Sequence, residues 1–291
     1  MIDLAGFSDN VRQLWASMSP CTLCPRQCGV DRCRGQLGFC GIGQMPVVSS
    51  VTAHFGEERV LVGTGGSGTI FLAGCNLGCV FCQNYDISHQ RKGRSVSIEQ
   101  LADAMLELQR MGCGNVNFVT PSHLAAPIAA AIERARDLGV TLPVVYNSGG
   151  YDSVETLRRL EGLIDIYMPD MKYADAAVAE SLSAAPDYPA INFAAVKEMH
   201  RQVGDLQIRG DLATGGLLVR HLVLPDNLAG STEIIDFLAD EVSPGTTINV
   251  MAQYHPCYQA HAHPEINRRL TGEEIATARH YAIARGLKVL V

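Results

Sequence analysis

Residues 69–88 read TIFLAGCNLGCVFCQNYDIS: a short apolar run, a glycine, then cysteines at 75, 79 and 82. The run at 69–73 is β-like, rich in branched and aromatic side chains. The cysteines follow it with the spacing C-x3-C-x2-C. Three thiolates on one short loop can hold three irons of a cubane. Iron–sulfur clusters normally take four cysteines, so the loop either lacks a distant fourth ligand or leaves one iron open to a further ligand. A zinc site explains the loop poorly, because zinc pairs come as C-x2-4-C with a second pair downstream. Phe81 stands directly before the third cysteine and could shield a cluster from water.

Outward from this loop, β-type runs alternate with helical ones. Strands are expected at 69–73, 115–119, 142–146, 163–168, 217–224 and 247–251, and helices at 97–110, 125–138, 152–160, 191–203, 231–238 and 272–285. The 97–110 segment has apolar residues at three- and four-residue spacing, and Ser97 with Gln100 resembles a capping box. Asp152 or Ser153 would cap the third helix. Six such units imply a parallel sheet. They are too few for a closed eight-stranded barrel, so the expected fold is α/β, a partial (β/α)6 TIM-like barrel. Its chemistry would sit at the C-terminal ends of the strands. Residues 68–291 form this barrel and residues 1–67 a Cys-rich N-terminal extension, in which 47–64 reads as a hairpin. Arg220 falls inside an apolar strand; a charge there is rarely buried without a partner, so it is expected to point into the barrel.

The chain has 291 residues, 47% hydrophobic and 18% charged, which fits a globular protein. Its net charge of −7 argues against nucleic acid as a partner. No run reaches the roughly 18 apolar residues of a membrane span, and residues 1–20 do not read as a signal peptide. A cytoplasmic protein with reduced thiols and no membrane partner is expected. Eight of the ten cysteines lie between Cys21 and Cys82, which in a reducing compartment points to metal. Cys21, Cys24, Cys28, Cys33 and Cys40 precede the central loop. Four thiolates suit tetrahedral zinc or an auxiliary [4Fe–4S] cluster equally. Downstream, 254–263 carries His255, Cys257, His261 and His263; with its prolines it reads as a solvated loop in preference to a metal site.

The run 74–88 resembles the cluster loop of the radical S-adenosylmethionine (SAM) superfamily, and more narrowly the pyruvate formate-lyase activating enzyme-like proteins. Further segments resemble an uncharacterised branch of that group: CTLCPR at 21–26, GSGTI at 66–70, NFVTPSH at 117–123, YNSGGYD at 146–152, DIYMPDMKY at 165–173, VRHLVLP at 219–225 and NVMAQY at 249–254. His54-Phe55-Gly56-Glu57-Glu58 recurs there too. The resemblance implies a barrel of radical SAM type, with a [4Fe–4S] cluster on Cys75, Cys79 and Cys82 whose open iron chelates SAM. It favours Cys21, Cys24, Cys28 and Cys40 as a second metal set, with Cys33 an extra. It also implies a low-potential electron donor such as flavodoxin or ferredoxin, and a protein, peptide or small-molecule substrate.

The same resemblance suggests the SAM pocket. Family members place an acidic segment after the second strand; here Val119-Thr120-Pro121-Ser122-His123 stands there without an acid. Thr120, Ser122 or backbone carbonyls could accept from the SAM ammonium group, or the segment is simply a turn. Asn147 occupies the polar loop after the third strand. Asp170-Met171-Lys172 resembles the family's DLK segment, with Lys172 toward the SAM carboxylate. His255 matches a histidine near SAM. Two other functions compete with a radical enzyme. A non-catalytic iron–sulfur or electron-transfer protein is one, favoured slightly by the missing acid. A zinc-dependent binding module is the other, and it leaves Cys75, Cys79 and Cys82 unexplained.

Overall fold

The computed structural model describes residues 4–290. Ten strands form one sheet: β1 (Val47–His54), β2 (Ser67–Leu72), β3 (Arg94–Ser95), β4 (Val116–Val119), β5 (Val144–Ser148), β6 (Ile166–Pro169), β7 (Gln207–Arg209), β8 (Leu212–Leu222), β9 (Thr247–Met251) and β10 (Lys288–Val289). The order is β10-β9-β8-β6-β5-β4-β2-β1-β3, with β7 beside β8. Pairing from β2 through β4, β5, β6, β8 and β9 to β10 is parallel throughout. The path has two ends, so the barrel is partial. The six expected strands are its parallel core.

Side chains alternate across these strands as a two-residue period requires. Val145, Ile166, Met168 and Leu218 pack together inside the barrel with Ala213 and Leu61. Their neighbours Val144, Tyr146, Tyr167, Leu217 and Val219 face the other way into the main core beneath the helices. Both faces are covered, which is why these strands read as nearly continuous apolar runs.

Helices Ile98–Arg110 and Ala125–Asp137 pack on one another. The first opens with the expected capping box: Gln100 N donates to Ser97 Oγ at 3.2 Å and Ser97 N to Gln100 Oε1 at 2.9 Å. Such a cap contributes about 1 kcal/mol. Helix Val154–Leu160 is capped by Ser153, which leaves Asp152 free for another role. Helix Ala176–Ser183, alanine-rich and without a clear apolar stripe, went unread in the sequence.

The expected 47–64 hairpin does not form. β1 pairs antiparallel with β2 instead, so the N-terminal extension gives a strand to the barrel sheet. Between these strands the short helix Arg59–Val62 puts Leu61 into the barrel interior, where its carbonyl accepts from Asn115 Nδ2 at 2.7 Å. Asn115 directly precedes β4, so this segment plugs the end of the barrel where strands begin. Helix Asp9–Ala16 buries Val11, Leu14 and Trp15 against helices Ala125–Asp137 and Val154–Leu160.

Candidate active site

The loop that leaves β2 turns at Gly74, whose φ of +79° suits glycine. A Cβ there would lie 2.8 Å from the Cys40 carbonyl oxygen, so the N-terminal extension packs directly onto the start of the loop. Each of the three cysteines has a hydrogen-bond partner at sulfur. Leu77 N donates to Cys75 Sγ at 3.3 Å, Ser183 Oγ donates to Cys79 Sγ at 2.9 Å, and Ser88 Oγ lies 3.1 Å from Cys82 Sγ. Hydrogen bonds to sulfur favour the thiolate, the form that binds metal. Burial works the other way and pushes the Cys75 and Cys79 thiols up, with the nearby Lys172 cation opposing it. A bound cation would reverse that balance. Among the described residues, no three His, Cys, Asp or Glu side chains already converge on one metal position. The fold supplies the loop and its donors rather than a closed coordination sphere.

Behind the loop stands an aromatic wall. Phe81 meets Tyr173 and Tyr254 edge-on, at ring distances of 6.5 and 5.7 Å, and Tyr173 meets Tyr188 at 5.5 Å. Phe81 is thus buried in this wall, 5% exposed. The Tyr173 hydroxyl also lies 2.7 Å from Ser183 Oγ, fixing the group that serves Cys79.

In front of the loop is an open cavity of ≈ 250 Å³ at the C-terminal ends of the strands. Cys75, Cys79, Phe81, Cys82, Thr120, Asn147, Asp170, Lys172 and Arg220 all line it. A roomier cleft of ≈ 410 Å³ lies between helices Ser231–Phe237 and Gly272–Ala284, but no thiol or cation lines it. Two expected residues fall outside the cavity lining. Ser122 is buried beside the Tyr146–Asp152 pair, where its position just past β4 turns it toward the helices. His255 lies one step out: Gln83, which does line the cavity, is 3.3 Å from His255 Nδ1. Gln253 lines the cavity in its place.

Charges in the cavity form a connected row. Lys172 Nζ donates to Asp170 Oδ2 at 2.6 Å, and Arg220 Nε donates to Asp170 Oδ1 at 2.9 Å. Arg220 Nη2 donates to Asn147 Oδ1 at 2.7 Å. Burial alone would raise the Asp170 carboxyl, but the two cations outweigh it and hold it below its ordinary range. Lys172 is pushed down by burial and up, more strongly, by Asp170 and Cys79. Thr120 has φ +64°, an uncommon conformation for a β-branched residue, and costs roughly 1–3 kcal/mol. That strain lies at the cavity wall.

An acidic pair does approach, from below. Glu57 Oε2 is 3.9 Å from Arg220 Nη1, and Glu58 Oε1 accepts from Asn249 Nδ2 at 3.0 Å. Glu58 Oε2 and Asn117 Oδ1 are buried without a hydrogen-bond partner among the described residues. The sequence marked this segment only as a recurring one; its β1–β2 connection, not its spacing, carries it under the cavity. Burial pushes Glu57 up to about 7, against the pull of Arg220 and with help from Glu58 and Asp170. A carboxyl raised in the folded state is held protonated where the unfolded chain has already released its proton. Stability should therefore fall as pH rises from about 4.5, and the loss should be complete above about 7. Glu57→Gln is expected to flatten this dependence. Urea midpoints of both proteins at pH 5 and pH 8 check it, and parallel pH profiles would refute the assignment.

The 254–263 segment is an irregular loop with one short 3-10 turn, Ala260–Ala262; Tyr258 stacks on Tyr85 at 5.2 Å and Gln259 N donates to the Val80 carbonyl at 2.8 Å. It closes over the cluster loop. Among the described residues no helix is long and apolar enough to cross a membrane.

Comparison with known proteins agrees with this geometry. The profile described as the Radical SAM superfamily matches residues 69–238. An uncharacterized protein of Methanocaldococcus jannaschii is 36% identical over 274 residues, covering 90% of this chain and 74% of its own length. A second uncharacterized protein of that organism is 23% identical over 300 residues, covering 92% and 79%. Among solved structures, the FeFe-hydrogenase maturase HydG from Carboxydothermus hydrogenoformans superposes with a TM-score of 0.52 at 14% identity, covering 73% of this chain and 49% of its own. Streptococcus suis SuiB bound to precursor peptide SuiA gives 0.50 at 11% identity, covering 74% and 46%. The chain thus spans about half the length of these solved structures, and the likeness to them is one of fold. With a partial parallel barrel, a three-cysteine loop at its C-terminal mouth and a family profile across more than half its length, the chain belongs to the radical SAM superfamily.

Proposed function

We propose that this chain is a radical SAM enzyme of the activating-enzyme-like kind: it cleaves SAM reductively at a [4Fe–4S] cluster on Cys75, Cys79 and Cys82, and abstracts hydrogen from a protein, peptide or small-molecule substrate. The observation that carries this reading is the single cavity that joins three sulfur atoms, each with a hydrogen-bond partner, to a buried row of charge. Held by Cys75, Cys79 and Cys82, the cluster would supply the one electron, taken from an external donor, that cleaves the S–C5′ bond of SAM to methionine and a 5′-deoxyadenosyl radical. A glycyl radical enzyme is one candidate substrate. Flavodoxin or ferredoxin is the fitting electron donor, in the cytoplasm. Cys21, Cys24, Cys28 and Cys40 are proposed to hold a second centre, zinc or an auxiliary [4Fe–4S] cluster, in the extension ahead of the 68–291 barrel.

The chain's own residues would divide the work of holding SAM. Lys172 and Arg220 bring positive charge to the wall beside Cys79, suited to the methionine carboxylate. Thr120 and Asn147 offer oxygen acceptors for its ammonium group, and His255 would act only through Gln83 and Gln253. Phe81 excludes water from the loop. The test is production of 5′-deoxyadenosine by the reconstituted protein under chemical reduction; absence of product at full iron loading would leave an electron-transfer protein as the better reading. Lys172→Ala is expected to weaken SAM binding by roughly ten- to a hundredfold, the equivalent of one charge-assisted hydrogen bond, without loss of iron. Unchanged affinity would remove Lys172 from the pocket.

A further inference from the structure

Arg32 is the largest fully buried side chain outside the barrel, only 2% exposed, and no carboxylate pairs with it among the described residues. Its Nε and Nη2 donate to the Gly43 carbonyl at 3.1 and 2.7 Å, and Nη1 donates to the His123 carbonyl at 2.7 Å. Asp31, its neighbour in sequence, turns away to cap and pair with Arg34. A guanidinium removed from water without an anion is costly. Carbonyl dipoles offset part of that cost and supply no counter-charge. The remaining contact of Arg32 is sulfur: Nη1 lies 3.9 Å from Cys21 Sγ.

Cys21, Cys24 and Cys40 are buried and Cys28 is half-buried, whereas Cys33 is exposed. Cys21, Cys28 and Cys40 act electrostatically on Cys24, and Arg32 acts on both Cys40 and Cys33, while among the described residues no three of these sulfurs already converge on one metal position. Phe39 N donates to Cys28 Sγ at 3.4 Å, and the Arg26 backbone N–H serves Cys24. Backbone donors aimed at sulfur suit charged thiolates. So does a buried cation that has no other anion to face.

We infer that Arg32 is the built-in counter-cation of an anionic four-thiolate metal centre formed by Cys21, Cys24, Cys28 and Cys40. The inference rests on the second-metal reading above and is independent of SAM chemistry. Zinc and a [4Fe–4S] cluster bound to four thiolates share the net negative charge that Arg32 answers. The same side chain joins this centre to the cluster loop: His123, whose carbonyl Arg32 holds, is itself 2.9 Å through Nε2 from the carbonyl of Ala73, just before Gly74 and Cys75.

The experiment uses the full chain carrying Cys75→Ala, Cys79→Ala and Cys82→Ala, so that bound metal reports on the N-terminal set alone. Zinc, iron and acid-labile sulfide are measured, and affinity is read by chelator competition. About one centre per chain is expected; zinc without sulfide, or iron with sulfide, identifies which. Arg32→Met in this background should bind the metal at least about tenfold more weakly, the weight of one charge interaction. Arg32→Lys should stay within about threefold, and loss as large as in Arg32→Met would overturn the charge argument. Melting separates this role from a merely structural one. Arg32→Met should melt below its parent when metal is loaded and no lower once metal is stripped; equal loss in both states, or unchanged metal affinity, would overturn the inference. A parent that holds neither zinc nor iron would overturn the centre itself. Failure of SAM cleavage with Cys75, Cys79 and Cys82 intact would sink the proposed function and leave this metal result standing.

Discussion

Replacing Cys75, Cys79 and Cys82 together with alanine is expected to reduce 5′-deoxyadenosine formation to the level of a protein-free control. The expectation follows from how the fold divides labour among the three sulfurs. Each draws its partner from a different element: Leu77 from within the loop, Ser183 from the end of helix Ala176–Ser183, and Ser88 from the short helix Tyr85–Ser88. Among the described residues no other thiol lines the cavity, so none can take over. The variant should fold, because alanine fits wherever cysteine does and the aromatic wall of Phe81, Tyr173 and Tyr254 remains in place. Its far-ultraviolet circular dichroism should match the parent. Undiminished product from a folded triple variant would eliminate the cluster assignment.

Much of this site was legible because it depends on local order. A β-run followed by C-x3-C-x2-C puts the loop at the C-terminal end of the sheet, whereas Asn147 and Asp170 are marked only by the resemblance of their segments to the family. Arg220 interrupts an apolar strand, and the expectation that it faces the barrel agrees with its pairing to Asp170 from the neighbouring strand β6. What sequence could not give is contact made through long-range packing. Glu57 and Glu58 reach Arg220 and Asn249 only because β1 pairs with β2 rather than closing its own hairpin. Ser183 serves Cys79 from 104 positions away. Nothing in the sequence sets Arg32 apart from other charges in the cysteine-rich stretch, and its burial against Gly43 and His123 is a product of the docked extension. Ser122 failed in the opposite way. Its proximity to β4 suggested the pocket, but the 3-10 turn Ser122–Leu124 buries it on the outer side.

Asp170 is where stability and ligand binding are most tightly joined. Its two oxygens bridge Lys172 and Arg220, and the side chains of Asp170, Lys172 and Arg220 are 11%, 15% and 17% exposed. Replacing it with asparagine would leave two largely buried cations facing each other across a neutral amide, with the Glu57 carboxyl, raised to about 7, the nearest remaining acid to Arg220 at 3.9 Å. Breaking a buried pair in this way typically costs about 3–5 kcal/mol. Asp170→Asn should therefore lower unfolding stability by that order at pH 7, and SAM affinity should fall with it as the two cations splay apart. The dependence on acid has a definite sign. The folded-state carboxyl is held below its ordinary value of 3.8, so its contribution is fully present above that value and is lost as pH drops through the depressed one. Wild type and Asp170→Asn should then diverge at neutral pH and draw together in strong acid. Urea unfolding of both proteins at pH 7, and again at the lowest pH where wild type stays folded, measures the gap. A difference below about 1 kcal/mol at pH 7, the value of an exposed ion pair, would mean that water reaches this row and that the cations do not depend on Asp170.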